Sequence, residues 1–297
     1  MLLKTLQPGD EAALEHFLVL HTDSSMFLRA NHRAAGLLDQ GQPLQGTYVA
    51  AFEGGEIVAV AAHFWLGTVV VQAPGPYLKE VVYGATTRSR RAVQGILGPW
   101  DQALAARTAL GLDEAPLTKD GKEMLYALDL STLPIPSAPP EFICRLAQPT
   151  DLEVLTEWRL HYSLELLGDT DSPELRIQCR TDVALLLNQG VLWVLETQKN
   201  LLSCLSFNAR LPDLVQLGFV WTPHGQRRRG YSRTLIAGAL RATHAEGVQR
   251  AILFTGHENY SARRVYERVG FQPIGDYGLL RFTREYIINP YCLELDQ

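Results

Sequence analysis

The sequence is poor in cysteine, in long apolar runs and in basic charge. Only four cysteines occur among 297 residues, Cys144, Cys179, Cys204 and Cys292, and no two stand in a Cys-x-x-Cys spacing. Disulfide bonds and cysteine-ligated zinc are therefore not expected. No apolar run approaches the roughly 20 residues that span a bilayer, so no membrane partner is expected.

The charge balance and the absent motifs exclude further classes. A net charge of −5 speaks against a nucleic-acid partner. The eight histidines show no His-x-His or His-Glu-x-x-His spacing, so no metal is expected. The first residues lack the basic start and apolar core of a secretory signal, which leaves the cytoplasm as the expected location. An apolar content of 46% and a charged content of 20% are ordinary for a soluble enzyme.

The most informative stretch joins an apolar, strand-like run to a helix-like run. The strand-like run is Leu214–Trp221, and residues 222–230 after it read Thr-Pro-His-Gly-Gln-Arg-Arg-Arg-Gly. A basic, glycine-containing loop that enters a helix N-terminus binds phosphate through backbone N–H groups and the helix dipole. Arginine adds charge that is not lost by deprotonation. Neither Gly-Lys-Ser/Thr nor Gly-x-Gly-x-x-Gly is present, which excludes those two nucleotide-binding loops.

Two motifs carry a family resemblance. Residues 227–232, Arg-Arg-Arg-Gly-Tyr-Ser, resemble the Arg/Gln-x-x-Gly-x-Gly/Ala pyrophosphate loop of the GNAT superfamily of acyl-CoA-dependent N-acyltransferases, with Ser232 in place of the last small residue. Asn259, Tyr266 and the pair Gly270-Phe271 resemble the family's later motif, in which an Asn opens a helix, a Tyr follows seven residues on and Gly-Phe ends it. The order and the spacing of both motifs fit.

The resemblance implies acetyl-CoA as cosubstrate and no metal. It implies that the strand before the loop splays from its neighbour and pairs with the pantetheine arm through residues 220–222. Residues 227–232 would wrap the pyrophosphate, although the side chain of Arg228 has the alternative of pointing into solvent. The predicted cosubstrate-binding residues are Val220, Trp221, Thr222, Arg227, Arg228, Arg229, Gly230, Tyr231, Ser232, Arg233, Asn259, Ala262 and Tyr266.

The catalytic residues predicted are Tyr266 and Glu165. The resemblance places Tyr266 by the sulfur, where its phenol protonates the leaving thiolate; the alternative is a tyrosine packed against the sheet. Many family members carry a carboxylate base on the strand before the loop, where this chain offers Gln216. Glu165 and Asp213 are the other candidates, and a water chain is a third option. His161 and Glu165 share a helix face, either as a base pair lining the acceptor pocket or as a surface ion pair.

The predicted order of helices and strands occurs twice along the chain, which indicates an internal duplication. The predicted fold class is α/β, with two tandem GNAT-like modules, each a mixed and mostly antiparallel sheet flanked by helices. The first module (1–130) is degenerate, residues 131–141 form a proline-rich linker, and residues 142–297 form the catalytic domain. In the first module residues 72–77 contain no arginine and Arg107 stands where the second has Tyr266. It is expected to be structural; the alternative is that it binds something other than CoA.

The elements predicted for the second module are helices at 149–167, 173–189, 231–246 and 260–268 and strands at 191–197, 201–208, 214–221, 249–255 and 278–283. The predicted function is N-acetyl transfer from acetyl-CoA to a small amine by direct attack, by a monomer or homodimer. The alternative is a non-catalytic acyl-CoA sensor or interaction module on the same scaffold.

Overall fold

A computed structural model describes residues 1–133, 141–198 and 200–289. The chain divides into two compact units: a first unit of Met1–Leu125 with Ile274–Gln297, and a second unit of Tyr126–Pro273. Sequence reasoning kept residues 142–297 in one domain. The structure groups the last segment with the first unit, because the final strand pairs there. Of the predicted linker, residues 134–140 lie outside the described part of the chain.

The first unit consists of a mixed sheet and four helices. Its elements are β1 (Leu2–Thr5), α1 (Glu11–Val19), α2 (Met26–Ala35), β2 (Gly46–Glu53), β3 (Glu56–Phe64), β4 (Thr68–Gln72), α3 (Leu78–Ser89), β5 (Val93–Pro99), α4 (Trp100–Ala109) and most of β6 (Leu117–Asp129). The strand order is β1-β2-β3-β4-β5 followed by the last strand of the chain. Only the β4–β5 pair among these is parallel.

Side chains that alternate between the two faces of the first unit's sheet let helices pack on both of its sides. Val49 and Ala51 face the side that packs with α3 and α4, whereas Tyr48 and Ala50 face the side that packs with α1. Successive strand residues point to opposite faces, so one buried strand serves two cores. A hairpin joins β2 to β3 around Gly54 and Gly55, and both glycines have the positive φ that such a turn requires.

The second unit begins with the end of β6 and has the predicted layered order. Its further elements are β7 (Ile143–Leu146), α5 (Leu152–Tyr162) with a π-helical turn at Ser163–Leu167, α6 (Pro173–Asn188), β8 (Leu192–Glu196), β9 (Leu201–Arg210), β10 (Leu214–Trp221), α7 (Tyr231–Ala245), β11 (Arg250–Gly256) and α8 (Tyr260–Val269). The strand order is β11-β10-β9-β8-β7, antiparallel except for β10 with β11. A mixed sheet flanked by helices confirms the predicted fold class.

One face of this sheet packs against α5 and α6. Leu155 and Trp158 of α5 and Val183 of α6 form a core with Cys204 and Trp221 of the strands. The helix α7 packs against β8 and β9 and buries Leu235, Ile236, Ala239 and Leu240. Helix ends follow from the sequence: the Ser172 hydroxyl accepts from the N–H of Leu175 ahead of Pro173, the usual opening of a helix.

The last strand, β12 (Gln272–Tyr286), is longer than predicted and belongs mostly to the first unit. It pairs antiparallel with β5, from Tyr277 opposite Pro99 to Arg281 opposite Gly95. The sequence of β12 does not indicate which strand it pairs with, because a segment of alternating apolar residues suits an edge of either sheet.

Candidate active site

The strands β10 and β11 separate halfway along their length. Their parallel pairing runs from Leu214 opposite Arg250 to Leu217 opposite Leu253, and both strands continue for several residues beyond it. On its other side β10 carries a bulge between Gly218 and Trp221, with Phe219 at a φ of 43°. A bulge bends its strand. The splay expected from the resemblance is therefore present, and it leaves the backbone of residues 218–221 unpaired towards β11.

The loop after β10 leads into the N-terminus of the 15-residue helix α7. Arg228 and Gly230 both have a left-handed backbone, with φ of 67° and 83°. A Cβ at Gly230 would meet no protein atom within 4 Å. The side chains of Arg228, Arg229 and Arg233 are exposed and have no ion-pair partner among the described residues. Exposed N–H groups, a helix dipole and three cations thus meet at one surface that suits phosphate.

The side chain of Arg227 has a different role from its neighbours. Its Nε donates to the carbonyl of Thr222 at 3.0 Å. Its two terminal nitrogens donate to the two carboxylate oxygens of Glu165 at 2.8 and 2.9 Å. Its guanidinium lies 4.7 Å from the ring centre of Trp221. Direct binding of phosphate by this guanidinium would have to compete with all three contacts.

Glu165 therefore sits beside the loop, in contact with Arg227 and with His224, whose Nε2 lies 2.8 Å from Oε2 of Glu165. The pair predicted with His161 is not formed among the described residues, since the π-helical turn at Ser163–Leu167 changes the register beyond α5. The hydrogen bonds from Arg227 lower the pKa of Glu165. An ionised, bidentate-bound carboxylate is a poor proton acceptor at neutral pH.

Three hydroxyls join the strand end to the helix start. Ser203 donates to the carbonyl of Trp221 at 2.8 Å and lies 2.9 Å from the hydroxyl of Thr222. The Thr222 hydroxyl is 2.7 Å from that of Ser232, in the first turn of α7. This row of hydroxyls explains why serine occupies the last position of the loop motif: the hydroxyl of Ser232 forms a hydrogen bond with that of Thr222. Sequence reasoning did not find Ser203, because its contact depends on the register of β9 with β10.

Tyr266 lies on α8 with its phenol almost wholly buried, at 8% exposure. Its ring centre is 6.3 Å from that of Tyr126 and 6.1 Å from that of Phe271. Burial, and to a lesser extent the nearby Tyr162, raises its pKa well above the usual value for tyrosine. The phenol therefore stays protonated at neutral pH, so it can donate a proton but cannot act as a base.

Tyr162, at the end of α5, was not predicted from sequence. Its ring centre lies 5.3 Å from that of Phe219 and 6.3 Å from that of Trp221. It therefore lies beside the bulged end of β10 and influences the titration of Tyr266. A tyrosine at the end of a helix gives no sequence sign of such a role.

The remaining predicted residues lie at the start of α8 and at the two ends of the loop. The side chain of Asn259 caps α8 by accepting from the N–H of Ala262 at 3.3 Å, and Ala262 follows it in the first turn. Val220 and Tyr231 are partly buried at the two ends of the loop.

The two other base candidates occupy different places. Asp213 immediately precedes β10, so it lies roughly 26 Å along the strand from Trp221. Gln216 is 2% exposed, and its Oε1 has no hydrogen-bond partner among the described residues. It shares a sheet face with Gly218, Cys204 and Trp221, since cross-strand partners and alternate residues point the same way. That face packs against α5 and α6.

The corresponding part of the first unit is closed. A Cβ at Gly98 of β5 would lie 2.8 Å from the carbonyl oxygen of Val71 of β4, so these strands stay close where β10 and β11 part. The N–H of Ala73, just after β4, donates to the side chain of Gln102 at 2.7 Å. The N–H that would face a ligand is thus already used.

The described residues contain no group of three or more His, Cys, Asp or Glu side chains that could hold a metal ion. Within the same residues, no helix is long and apolar enough to cross a membrane.

Comparison with known proteins agrees with this geometry. A family model described as Acetyltransferase (GNAT) family matches residues 152–271, which lie in the second unit. This part of the chain is therefore similar to the GNAT acetyltransferases. No curated protein sequence matches the chain.

Several solved structures share the fold at low sequence identity. A Drosophila protein has a TM-score of 0.65 at 13% identity, over 94% of this chain and 98% of that one. A GCN5-related N-acetyltransferase from Sphaerobacter thermophilus has a TM-score of 0.58 at 16% identity, over 96% and 95%. A tandem GNAT protein from the clavulanic acid biosynthesis pathway has a TM-score of 0.51 at 14% identity, over 96% and 98%. These likenesses concern the fold alone.

Proposed function

We propose that the protein is an N-acetyltransferase that moves the acetyl group of acetyl-CoA to the amine of a small acceptor. The observation that carries the proposal is the splayed end of β10, which runs into an exposed basic loop at the N-terminus of α7. An extended pantetheine arm can pair with unpaired strand backbone as a further strand, and a pyrophosphate suits the loop. The backbone of residues 220–222 and of 227–232, with Arg228, Arg229 and Arg233, would hold the cosubstrate.

The proposed reaction is direct attack of the amine nitrogen on the thioester carbonyl. The new C–N bond forms, the C–S bond breaks, and the sulfur leaves as a thiolate that takes a proton. Tyr266 would supply that proton or a hydrogen bond. A phenol of pKa about 10 or above is a weaker acid than a thiol of pKa about 8.5. Full proton transfer from Tyr266 to the thiolate is therefore unfavourable by at least about 2 kcal/mol unless the thiolate is desolvated too. A hydrogen bond from the phenol to the leaving sulfur is thus the larger contribution of Tyr266.

The proposed layout is two GNAT-like modules in tandem, of which only the second binds acetyl-CoA. Two observations support a structural role for the first unit. The ends of β4 and β5 stay close together at Val71 and Gly98, and the N–H of Ala73 is already bonded to Gln102.

The binding step is tested by calorimetry and thermal unfolding with acetyl-CoA. Ligand at about a hundred times its dissociation constant should stabilise the folded protein by ~2.7 kcal/mol, a rise in Tm of about 5–10 °C. Gly230→Trp places a ring where the pyrophosphate would lie and should abolish the shift.

The matched control is Gly247→Trp at the other end of α7. Gly247 has an equally left-handed φ of 103°, and its Cβ also meets nothing within 4 Å. It therefore carries the same backbone strain without occupying the ligand's place. Equal loss of binding in both variants would contradict the assignment of the loop.

The second candidate is a non-catalytic acyl-CoA sensor, which the amide Gln216 at the expected place of a base favours. Tyr266→Phe separates the two functions, since it keeps the ring and removes the hydroxyl. An enzyme should lose about 10²-fold or more in kcat on an amine panel while acetyl-CoA binding is kept. Tight binding by wild-type protein without turnover of any amine would support the sensor instead.

A further inference from the structure

The contacts of Arg227 form what we call the Arg227 clamp: Arg227 with Glu165, Trp221, Thr222 and His224. The guanidinium joins the loop to the segment after α5 by two hydrogen bonds to Glu165. It joins the loop back to the end of β10 through the Thr222 carbonyl and the Trp221 ring. A fork-to-fork arginine–carboxylate pair fixes direction as well as distance.

The clamp lies next to strained backbone. Arg228 has a φ of 67°, which costs a residue with a Cβ on the order of 1 kcal/mol or more. Such conformations persist where the surroundings hold them. Arg228 is preceded by a short 3₁₀ turn at His224–Gln226 and by the clamped Arg227. The clamp therefore holds the loop just before the strained residue, while the hydroxyls of Thr222 and Ser232 join the two ends of the loop.

Glu165 also occupies a particular place along the chain. It lies in the π-helical turn three residues beyond Tyr162, whose ring packs on Phe219 and Trp221. The same short segment thus touches the bulged strand with one residue and the loop with another. Both oxygens of its carboxylate accept from Arg227, and Oε2 also contacts His224, so an acceptor amine would have to compete with these contacts.

We propose that Glu165 is a positioning residue: through the Arg227 clamp it holds the loop in the conformation that binds the pyrophosphate of acetyl-CoA. The inference rests on the proposed function. In this proposal the positive charge that faces the phosphates comes from Arg228, Arg229 and Arg233, and Arg227 does not contact phosphate directly. It also predicts that Glu165 affects cosubstrate affinity and leaves the chemical step alone.

The sign of one substitution distinguishes this role from simple electrostatics. Glu165→Gln removes a negative charge near an anionic ligand, so repulsion alone would make acetyl-CoA bind more tightly. Loss of the clamp makes it bind more weakly, and we expect a rise in Kd of about threefold to tenfold. Arg227→Lys keeps the charge but cannot form the fork, and we expect a similar rise.

The experiment measures Kd by calorimetry, and KM for acetyl-CoA, kcat and its pH profile with an accepted amine. Both variants should raise Kd and KM for acetyl-CoA while kcat and its pH profile stay as in wild type. The double variant should lose no more than either single one, because both remove the same contact. Glu153→Gln is the control: Glu153 lies on α5, and both of its carboxylate oxygens accept from one nitrogen of Arg180 on α6, so losing this ion pair away from the loop should change nothing.

Three results would overturn the inference. They are unchanged or tighter binding in Glu165→Gln, full binding in Arg227→Lys, and a fall in kcat with loss of the acidic limb of the pH profile, which would make Glu165 a base. If Glu165→Gln does not fold by thermal unfolding, Arg227→Lys carries the test. Failure of wild-type protein to bind acetyl-CoA would instead refute the proposed function.

Discussion

Gln216 raises the question of how the acceptor amine loses its proton. An amide does not accept a proton at neutral pH. Tyr266 is held protonated by burial, and Glu165 is ionised but bound by Arg227. Other charged or titratable groups near this end of β10 are Arg159, whose guanidinium lies 5.3 Å from the Phe219 ring centre, Tyr162 and His224. The described second unit therefore favours acceptors that arrive already neutral.

The rate should follow the pKa of the acceptor. At pH 7.5 about a third of an α-amine of pKa near 7.8 is neutral, but only about one in 800 of an ε-amine of pKa near 10.4. We expect kcat/KM to rise with pH up to the pKa of each amine. Gln216→Glu would add a buried carboxylate whose raised pKa suits a general base, and should increase kcat/KM for an ε-amine at pH 7 by at least tenfold.

Gln216→Met is the control, since it keeps the length of the side chain without a carboxylate. Steady-state rates across pH 6–10 with an α-amine and an ε-amine give the comparison. A wild-type profile that is already flat between pH 7 and 9 for the ε-amine would show that a base acts in this protein.

The elements around the loop show what local sequence can and cannot predict. The strand β10, the turn into α7 and the capped helix α8 were predicted because each depends on neighbours in sequence: an apolar run, a left-handed glycine, an Asn cap with Gly270 after the last turn. The bulge at Phe219, the hydroxyl chain and the Arg227 clamp were missed. Each joins residues that are ten or more positions apart or depends on strand register, which a single sequence does not specify.

The same limit applies to β12 and to Glu165. The apolar alternation of β12 predicted a strand near residues 278–283, but its pairing with β5 is a contact across most of the chain. Glu165 was placed on the same helix face as His161 by assuming an α-helix through residue 167. The π-helical turn breaks that assumption, and the carboxylate meets Arg227 62 positions later. Its role as a base stays a prediction that the clamp variants test.

For the molecule as a whole, the two units predict one acetyl-CoA site per chain. In the second unit the strands part and the loop is open and basic. In the first, Gly98 packs against Val71 and the N–H of Ala73 is already bonded to Gln102. The close approach of Gly98 to Val71 leaves a pantetheine arm less room at this strand end, and residues 73–77 contain no arginine to meet a pyrophosphate.

Calorimetric titration with acetyl-CoA should therefore give a stoichiometry of one per chain. Gly230→Trp should remove all of the binding heat, because no second site remains. Gly75→Trp, in the loop after β4, is the counterpart: a Cβ there also meets nothing within 4 Å, yet it should leave stoichiometry and affinity unchanged. Binding of two molecules by wild-type protein, reduced to one by Gly230→Trp and again by Gly75→Trp, would mean that the first unit opens in solution and binds cosubstrate as well.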